Sequence, residues 1–287
     1  MNGRLFATLR LLRAGTLFSP AADVTASLAV LGLPWDATAV RAVLAGVCLY
    51  AAGMVWNDVA DRRLDAELRP ERPLPSGELS VVFAVVLGST LLTAGLLASP
   101  CRIWHGTMAA LVLAYDFALK RIDWLGAIGM ATLRGMNLAT ATALAAAAPD
   151  PQAGRALLIA ALCYGIYIAA VTVLGIYEDR PSVQPRAVAA VQAAPPLAAM
   201  CGLVAVQGGL WPAPVLGLVP AVWFARRNAR RVAFDQATIR RAMTQLLLGT
   251  MLFSALLAAA SNRWIEAAAI SVVIVPARWI ARSIALT

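Results

Sequence analysis

Residues 56–77 read WNDVADRRLDAELRPERPLPSG, and this stretch carries four candidate metal ligands at helical spacing between two long apolar runs. At about 100° per residue on an α-helix, the four side chains fall within an arc of roughly 100° and share one face. They are Asn57, Asp58, Asp61 and Asp65. Three carboxylates crowded beside an amide repel one another unless a cation lies among them, and hard oxygen ligands of this kind suit Mg²⁺. The pattern therefore predicts a magnesium site that holds a phosphate group.

The segment that follows the acidic face is rich in proline. Pro70, Pro73 and Pro75 are expected to end the helix and stiffen the chain, which would hold Arg69 and Arg72 near the carboxylates. The alternative is an ordinary solvated loop, because stretches with many charged residues usually form solvent-exposed loops. The grouping of the acidic residues on one face favours the binding site over the loop.

The composition indicates a polytopic membrane protein. The chain has 287 residues, 61% hydrophobic and 14% charged, with a mean hydropathy of +0.74, which is too apolar for an ordinary soluble domain. Segments of about 17 to 25 apolar residues can span a bilayer. We predict an all-α bundle of nine or ten transmembrane helices forming a single domain over residues 1–287. The ten segments lie near Ala14–Leu33, Thr38–Trp56, Leu79–Ala98, Ile103–Leu119, Leu125–Ala148, Arg155–Ile176, Ala187–Val206, Leu210–Phe224, Ala242–Ala260 and Trp264–Ile280.

The distribution of basic residues predicts the orientation in the membrane. The net charge of +9 could suggest nucleic-acid binding, but in a membrane protein its placement matters more. With a cytoplasmic N-terminus, Arg134 falls within a span and four basic residues fall on the outer side. Those four are Arg41, Arg102, Arg155 and Arg263. All the others fall inside, so we expect a multi-pass protein of the inner (plasma) membrane, with the acidic stretch facing the cytoplasm and no nucleic-acid partner.

Asp23 and Arg134 are charged residues that are predicted deep within the spans. Asp23 lies about nine residues into the first span, and Arg134 lies at a similar depth in the fifth span. The sequence leaves open whether they form a structural ion pair or a pair that lines a cavity. Asn137 shares a face with Arg134, and the small Gly135 beside them permits close helix packing.

Lys120 and Arg121 end the apolar fourth span in the segment YDFALKR. Anchoring of the cytoplasmic end of a span explains such a pair without any chemistry. A phosphate held by Mg²⁺ also needs cations for its remaining oxygens, so contact with a ligand is the alternative.

The sixth span ends in a second polar group. Tyr164, Tyr167 and Glu178 fall on one stripe of the helix, with Asp179 close to it. We expect the stripe to line a cavity whose cytoplasmic mouth places Glu178 and Asp179 opposite the first acidic stretch. Interfacial tyrosines and a solvated helix end are the alternative interpretation.

These motifs together resemble a known family. NDVADRRLD at residues 57–65 is similar to the NDxxDxxxD motif of the UbiA-type intramembrane prenyltransferases, and the RPERPLPSG continuation and the YDFALKR loop match as well. The segments LFSPAADV and LRGMN look most like the EboC-like branch of that superfamily. The resemblance covers essentially the whole chain.

The resemblance implies a helical bundle around a central cavity, in which Mg²⁺ and an isoprenyl diphosphate bind beside membrane lipid. The implied reaction moves the isoprenyl group to a lipophilic acceptor. The metal and diphosphate ligands would be Asn57, Asp58, Asp61 and Asp65, with Lys120, Arg121 and Arg72 steadying the diphosphate. We take Asp58, Asp61, Asp65, Lys120 and Arg134 as candidate catalytic residues. Candidate substrate contacts are Asn57, Arg72, Arg121, Asn137, Tyr164, Tyr167, Glu178, Asp179 and Asp23.

The sequence departs from the family in its second acidic motif. Where family members carry a run resembling DxxxD, YEDRPSVQPR supplies Glu178 and Asp179, followed by Ser182 and Gln184. This departure makes a non-catalytic binder or carrier of a polyprenyl or lipid-like molecule the main alternative function. A transporter is a third class, but the sequence lacks the internal repeat that would favour it.

Overall fold

The computed structural model describes residues 3–144, 150–178, 184–207, 212–229 and 235–285. In these ranges the regular elements are all helical, so the predicted fold class is confirmed. The α-helices are α1 (Gly3–Leu11), α2 (Phe18–Val30), α3 (Ala37–Leu68), α4 (Val81–Ala98), α5 (Arg102–Phe117), α6 (Asp123–Leu138), α7 (Thr140–Leu144), α8 (Pro151–Glu178), α9 (Pro185–Gln207), α10 (Ala213–Ala229), α11 (Gln236–Ala260) and α12 (Trp264–Ala285).

Each of the ten predicted spans falls on one or two of these helices. Judged by length and composition alone, five helices in the described ranges can cross a membrane. They are α3, α4, α8, α9 and α11. The fifth predicted span is divided, because α6 ends at Leu138 and α7 begins at Thr140. The buried hydroxyl of Ser27 accepts a hydrogen bond from the Ala141 backbone N–H at 2.8 Å, which offsets one backbone bond lost at the break.

Helix α3 carries the acidic stretch beyond the apolar region. Its 32 residues extend about 48 Å, longer than the hydrocarbon core of about 30 Å. The carboxylate of Asp36 caps its N-terminus by accepting from the Ala39 N–H at 2.9 Å. The helix ends at Leu68, two residues before Pro70, as predicted from the proline-rich tail. The last three turns of α3 therefore present the four polar residues on one continuous helix.

Helix α2 lies at the centre of the bundle, where it packs against α3, α6, α11 and α12. Its side chains from Val24 to Ala29 are largely buried. Larger side chains from α8 and α11 complete this core, including Tyr164, whose ring stacks on Phe253 with centroids 5.6 Å apart. The buried Asp23 is thus surrounded by helices on all sides.

Helices α6 and α8 approach each other through two glycines. A Cβ atom at Gly135 would lie 3.1 Å from the Ala161 carbonyl oxygen, and one at Gly165 would lie 3.2 Å from the Ala131 carbonyl oxygen. Backbone atoms cannot move away as flexible side-chain ends do. The close helix packing predicted at Gly135 is therefore confirmed.

We expect Gly135→Val to destabilise the protein by about 1–3 kcal/mol, because the added side chain must push α8 away. The apparent melting temperature of the purified protein in detergent measures the loss. Gly106→Val is the matched control, since a Cβ at Gly106 meets no atom within 4 Å. Equal melting temperatures for the two variants would contradict the close-packing argument.

Candidate functional site

Helices α3, α5 and α6 line a cavity of about 160 Å³ that adjoins the acidic stretch at Asn57, and this end is called its mouth. The lining positions recur at helical spacing on each helix, so one face of each contributes to the wall. Helix α3 supplies Gly46, Leu49, Tyr50, Gly53, Met54 and Asn57. Helix α5 supplies Met108, Val112, Tyr115 and Asp116, and α6 supplies Met130, Leu133, Arg134 and Asn137. Polar residues lie at the two ends and an apolar section lies between them.

The carboxylates at the mouth are each paired with a cation. Asp58 and Asp65 are buried, and one nitrogen of Arg72, Nη1, lies 2.7 Å from Asp65 Oδ2 and 3.5 Å from Asp58 Oδ1. Arg69 also approaches Asp65, at 3.8 Å. The proline-rich tail therefore returns its arginines to the acidic face, as predicted.

Lys120 reaches the same face from the turn after α5. Its Nζ lies 2.8 Å from Asp61 Oδ2 and donates to Asn57 Oδ1 at 2.9 Å. Arg121, in contrast, is exposed and forms no ion pair within the described part of the chain. The structure thus brings one of the two predicted cations to the site.

Arg13 is a site residue that the sequence did not reveal. Its Nη2 lies 3.3 Å from Asp58 Oδ1, and the side chain lines the cavity. The backbone at Arg13 is left-handed, with φ 49° and ψ 51°, a conformation that costs free energy for residues other than glycine. Its only sequence signal is its position directly before the first span.

Asp116 also lines the cavity and was not predicted. The residue is 2% exposed, and its Oδ2 has no hydrogen-bond partner among the described residues. It belongs to the YDFALKR segment, in which the sequence pointed only to the two basic residues. A carboxylate in the last turn of an apolar helix was the signal that could have identified it.

The donor set at the mouth fits Mg²⁺ in its chemistry, because three carboxylates and an amide supply hard oxygen atoms. The described residues nevertheless contain no group of three or more His, Cys, Asp or Glu side chains close enough to hold a metal. Arg72 Nη1 pairs with both Asp58 and Asp65. These two carboxylates, with Asp61 and Asn57, would hold the metal ion.

The deep end of the cavity contains the predicted pair of buried ionisable residues. Arg134 Nη2 lies 2.9 Å from Asp23 Oδ2, which confirms that the two residues lie at one depth. The hydroxyl groups of Tyr164 and Ser254 donate to Asp23 Oδ1 at 3.1 and 3.0 Å. Arg134 and Asn137 line the cavity, whereas Asp23 and Tyr164 do not. The Asp23–Arg134 ion pair therefore borders the cavity through Arg134.

Of the second polar group, Tyr164 lies at the deep end beside Asp23 and Arg134, whereas Tyr167 and Glu178 are held by α11. The hydroxyl of Tyr167 donates to the Leu246 carbonyl, and the carboxylate of Glu178 pairs with Arg240 Nη2 at 2.7 Å. Glu178 is not among the residues that line the cavity, and its placement opposite the first acidic stretch stays a prediction. Asp179 lies outside the described residues. The helical stripe gave the face of α8 correctly but could not show which helix packs on that face.

Residues 17–243 match the model of the UbiA prenyltransferase family. The chain belongs to this family. A match over most of the chain includes the acidic stretch and all three helices that form the cavity. This member of the UbiA family is therefore an integral membrane protein with a polytopic helical fold. The narrower assignment to the EboC-like branch stays a prediction.

Two curated relatives illustrate the similarity in sequence. The chain is 34% identical over 131 residues to a 4-hydroxybenzoate octaprenyltransferase of Polaromonas sp., covering 43% of this chain and 45% of that protein. It is 36% identical over 120 residues to a digeranylgeranylglyceryl phosphate synthase of Ignicoccus hospitalis, covering 41% and 39%. The chain thus spans less than half the length of each of these two relatives.

Solved structures share the fold over nearly the whole chain. A digeranylgeranylglyceryl phosphate synthase superposes with a TM-score of 0.63 at 16% identity, covering 90% of this chain and 98% of that one. A UbiA homologue from Archaeoglobus fulgidus bound to DMAPP and Mg²⁺ superposes with a TM-score of 0.60 at 15% identity, covering 89% and 99%. At such identities the likeness concerns the fold alone.

Proposed function

We propose that this UbiA family member is an integral membrane prenyltransferase that moves an isoprenyl group from an isoprenyl diphosphate to a lipophilic acceptor. One observation carries the proposal: the acidic face of α3 and three cations, Arg13, Arg72 and Lys120, meet at the mouth of a cavity with an apolar middle section. Such a mouth suits a diphosphate, and the apolar section suits an isoprenyl chain.

The acidic face has the oxygen donors for Mg²⁺, which would be held by Asn57, Asp58, Asp61 and Asp65. When bound, the metal neutralises negative charge on the diphosphate and so makes it a better leaving group. The Mg²⁺ bound with DMAPP in the Archaeoglobus homologue supports this assignment.

The cations at the mouth would bind the oxygens of the diphosphate. Arg72 and Lys120 now neutralise Asp65 and Asp61, so an incoming diphosphate with its metal would exchange these ion pairs for new ones. Arg13 points into the cavity beside Asn57 and would bind the phosphate nearest the carbon chain. Fixed positive charge at this point stabilises the departing diphosphate. Arg121 would serve only as a more distant cation.

In the proposed reaction, the allylic C–O bond breaks and its electron pair leaves on the diphosphate. An electron pair of the acceptor forms the new bond to the isoprenyl carbon, and the acceptor loses a proton. Asp116 lines the cavity with a carboxylate oxygen that has no hydrogen-bond partner among the described residues, and it would accept that proton. The surrounding methionine and valine side chains exclude water, which would otherwise capture the reactive carbon.

The whole chain, residues 1–287, would form one catalytic domain. We place it in the inner membrane with the N-terminus and the cavity mouth in the cytoplasm, since the basic residues concentrate at that end. Topology mapping with reporters fused before α1 and between α4 and α5 would test the orientation. The names of the curated relatives, which are prenyl-transferring enzymes, support the reaction class.

The second candidate function is a binder or carrier of a polyprenyl or lipid-like molecule. The observation that favours it is Glu178, whose carboxylate pairs with Arg240 and does not line the cavity. With the ligands of α3 alone, the site would bind a diphosphate but would not cleave it.

Incubation of the purified protein with Mg²⁺, labelled isoprenyl diphosphates of several lengths and a membrane extract tests both functions. We expect release of pyrophosphate together with a labelled lipid product, and both should cease when EDTA removes the metal. Tight Mg²⁺-dependent binding without pyrophosphate release would instead establish the carrier. Absence of both binding and release would refute both functions.

A further inference from the structure

Two buried polar atoms at the deep end of the cavity have no hydrogen-bond partner among the described residues. They are Arg134 Nη1, a donor, and Asn137 Oδ1, an acceptor. Both residues line the cavity, and they are only 6% and 4% exposed. An unsatisfied buried polar group costs about 1–3 kcal/mol. A donor and an acceptor left open in one cavity therefore point to a bound group that satisfies them.

The neighbours of Asn137 fix the orientation of its amide. Its Nδ2 donates to the Pro20 carbonyl oxygen at 3.0 Å and to Asp23 Oδ2 at 3.3 Å. Both neighbours accept hydrogen bonds, so the amide nitrogen must face them. The amide oxygen consequently faces the cavity.

The charge at this end of the cavity is already balanced. Asp23 lies 2.9 Å from Arg134 Nη2, and Tyr164 and Ser254 supply further hydrogen bonds to the Asp23 carboxylate. An anionic ligand would add a buried negative charge close to Asp23 without a free counter-ion, which is costly. An uncharged ligand meets no such penalty.

Gly46 lets the Asn137 oxygen lie close to α3, because a Cβ atom at position 46 would lie 2.7 Å from Asn137 Oδ1. The guanidinium carbon of Arg134 lies 5.5 Å from the centroid of the Tyr50 ring. Gly46 and Tyr50 line the same cavity as Arg134 and Asn137, so a small group bound there lies among all four residues.

From this geometry we propose that the deep end of the cavity binds an uncharged hydroxyl group, which accepts from Arg134 Nη1 and donates to Asn137 Oδ1. In terms of the proposed function, on which this step rests, the acceptor is anchored at the deep end by a neutral alcohol or phenol hydroxyl and not by a carboxylate or a phosphate ester. The atom of the acceptor that receives the isoprenyl group lies nearer the mouth. A carrier would bind a hydroxyl-bearing lipid at the same position.

Three probes of equal ring size test the subsite: 4-fluorobenzyl alcohol, 4-fluorobenzoate and 4-fluorotoluene. Their binding to the full chain in detergent is measured by ¹⁹F NMR, with empty micelles as background. We expect the alcohol to bind at least about tenfold more tightly than the other two probes, as one good buried hydrogen bond allows. Equal or tighter binding of the benzoate would overturn the proposal, and so would binding of the alcohol no tighter than that of the toluene.

Two variants locate the bound alcohol. Gly46→Ala fills the space beside Asn137 Oδ1, and Asn137→Leu removes the acceptor, so each should weaken binding of the alcohol by about tenfold or more. Gly106→Ala is the matched control, because a Cβ at Gly106 meets no atom within 4 Å. Unchanged binding of the alcohol in both Gly46→Ala and Asn137→Leu would also overturn the proposal.

Mg²⁺-dependent binding of geranyl S-thiolodiphosphate at the mouth is measured on the same samples. Retained binding of this analogue shows that a variant is folded. If the analogue does not bind the unmodified chain but the alcohol does, the proposed function fails and the hydroxyl subsite stands. If the analogue binds and the alcohol does not, the subsite alone fails.

Discussion

Asp61→Ala is expected to lower the rate of Mg²⁺-dependent isoprenyl transfer by a factor of about 10²–10³. Asp61 lies on the acidic face of α3 and holds Lys120 at 2.8 Å from its Oδ2. Its loss removes a proposed metal ligand and also releases the cation that would bind the diphosphate. The rate of labelled product formation at saturating Mg²⁺ measures the effect.

Glu67→Ala is the matched control for this prediction. Glu67 is an exposed acidic residue in the last turn of the same helix, so the variant changes the charge of α3 equally without touching the site. The control should keep nearly full activity. If Asp61→Ala kept more than about half of the rate, the acidic face could not be the metal and diphosphate site.

Single replacements of the buried pair, Asp23→Leu or Arg134→Met, should each destabilise the protein by about 3–5 kcal/mol. Asp23 is fully buried and Arg134 nearly so, and each single variant leaves the partner with an uncompensated charge. The double variant leaves no charge behind and fills the space with apolar side chains of similar size. It should therefore be more stable than either single variant.

Unfolding by guanidinium chloride in mixed micelles measures the three free energies of unfolding. The comparison among the variants matters more than the absolute values, because double-mutant cycles isolate the coupling between two residues. A double variant that loses as much stability as both single variants combined would show that the two residues are not coupled. The ion pair would then contribute nothing to the stability of the bundle.

Helical periodicity explains which parts of the site could be predicted from the sequence. The spacing of the acidic residues placed them on one face of a helix, and the prolines placed the end of that helix near Pro70, where the structure ends it. The depth of Asp23 and Arg134 in their spans predicted their pairing correctly. Each of these predictions concerns either a single helix or the depth of a residue in the membrane. Both follow from the order of residues along the chain.

Contacts between helices had to come from the tertiary structure. Arg13 joins the site through a left-handed turn, and Asp116 enters the cavity only because α5 packs beside α3. Glu178 shares a face with two tyrosines, as predicted, yet it meets Arg240 of α11.

The sequence by itself determined the membrane-embedded helical class, the acidic face of α3 and the buried ion pair. The tertiary structure alone decided that the carboxylates are bridged by Arg72 and Lys120, and that the cavity ends at Arg134 and Asn137. The physical reason is that spacing along the chain sets the angle of a side chain around its own helix axis, whereas its partner depends on which neighbouring helix packs there.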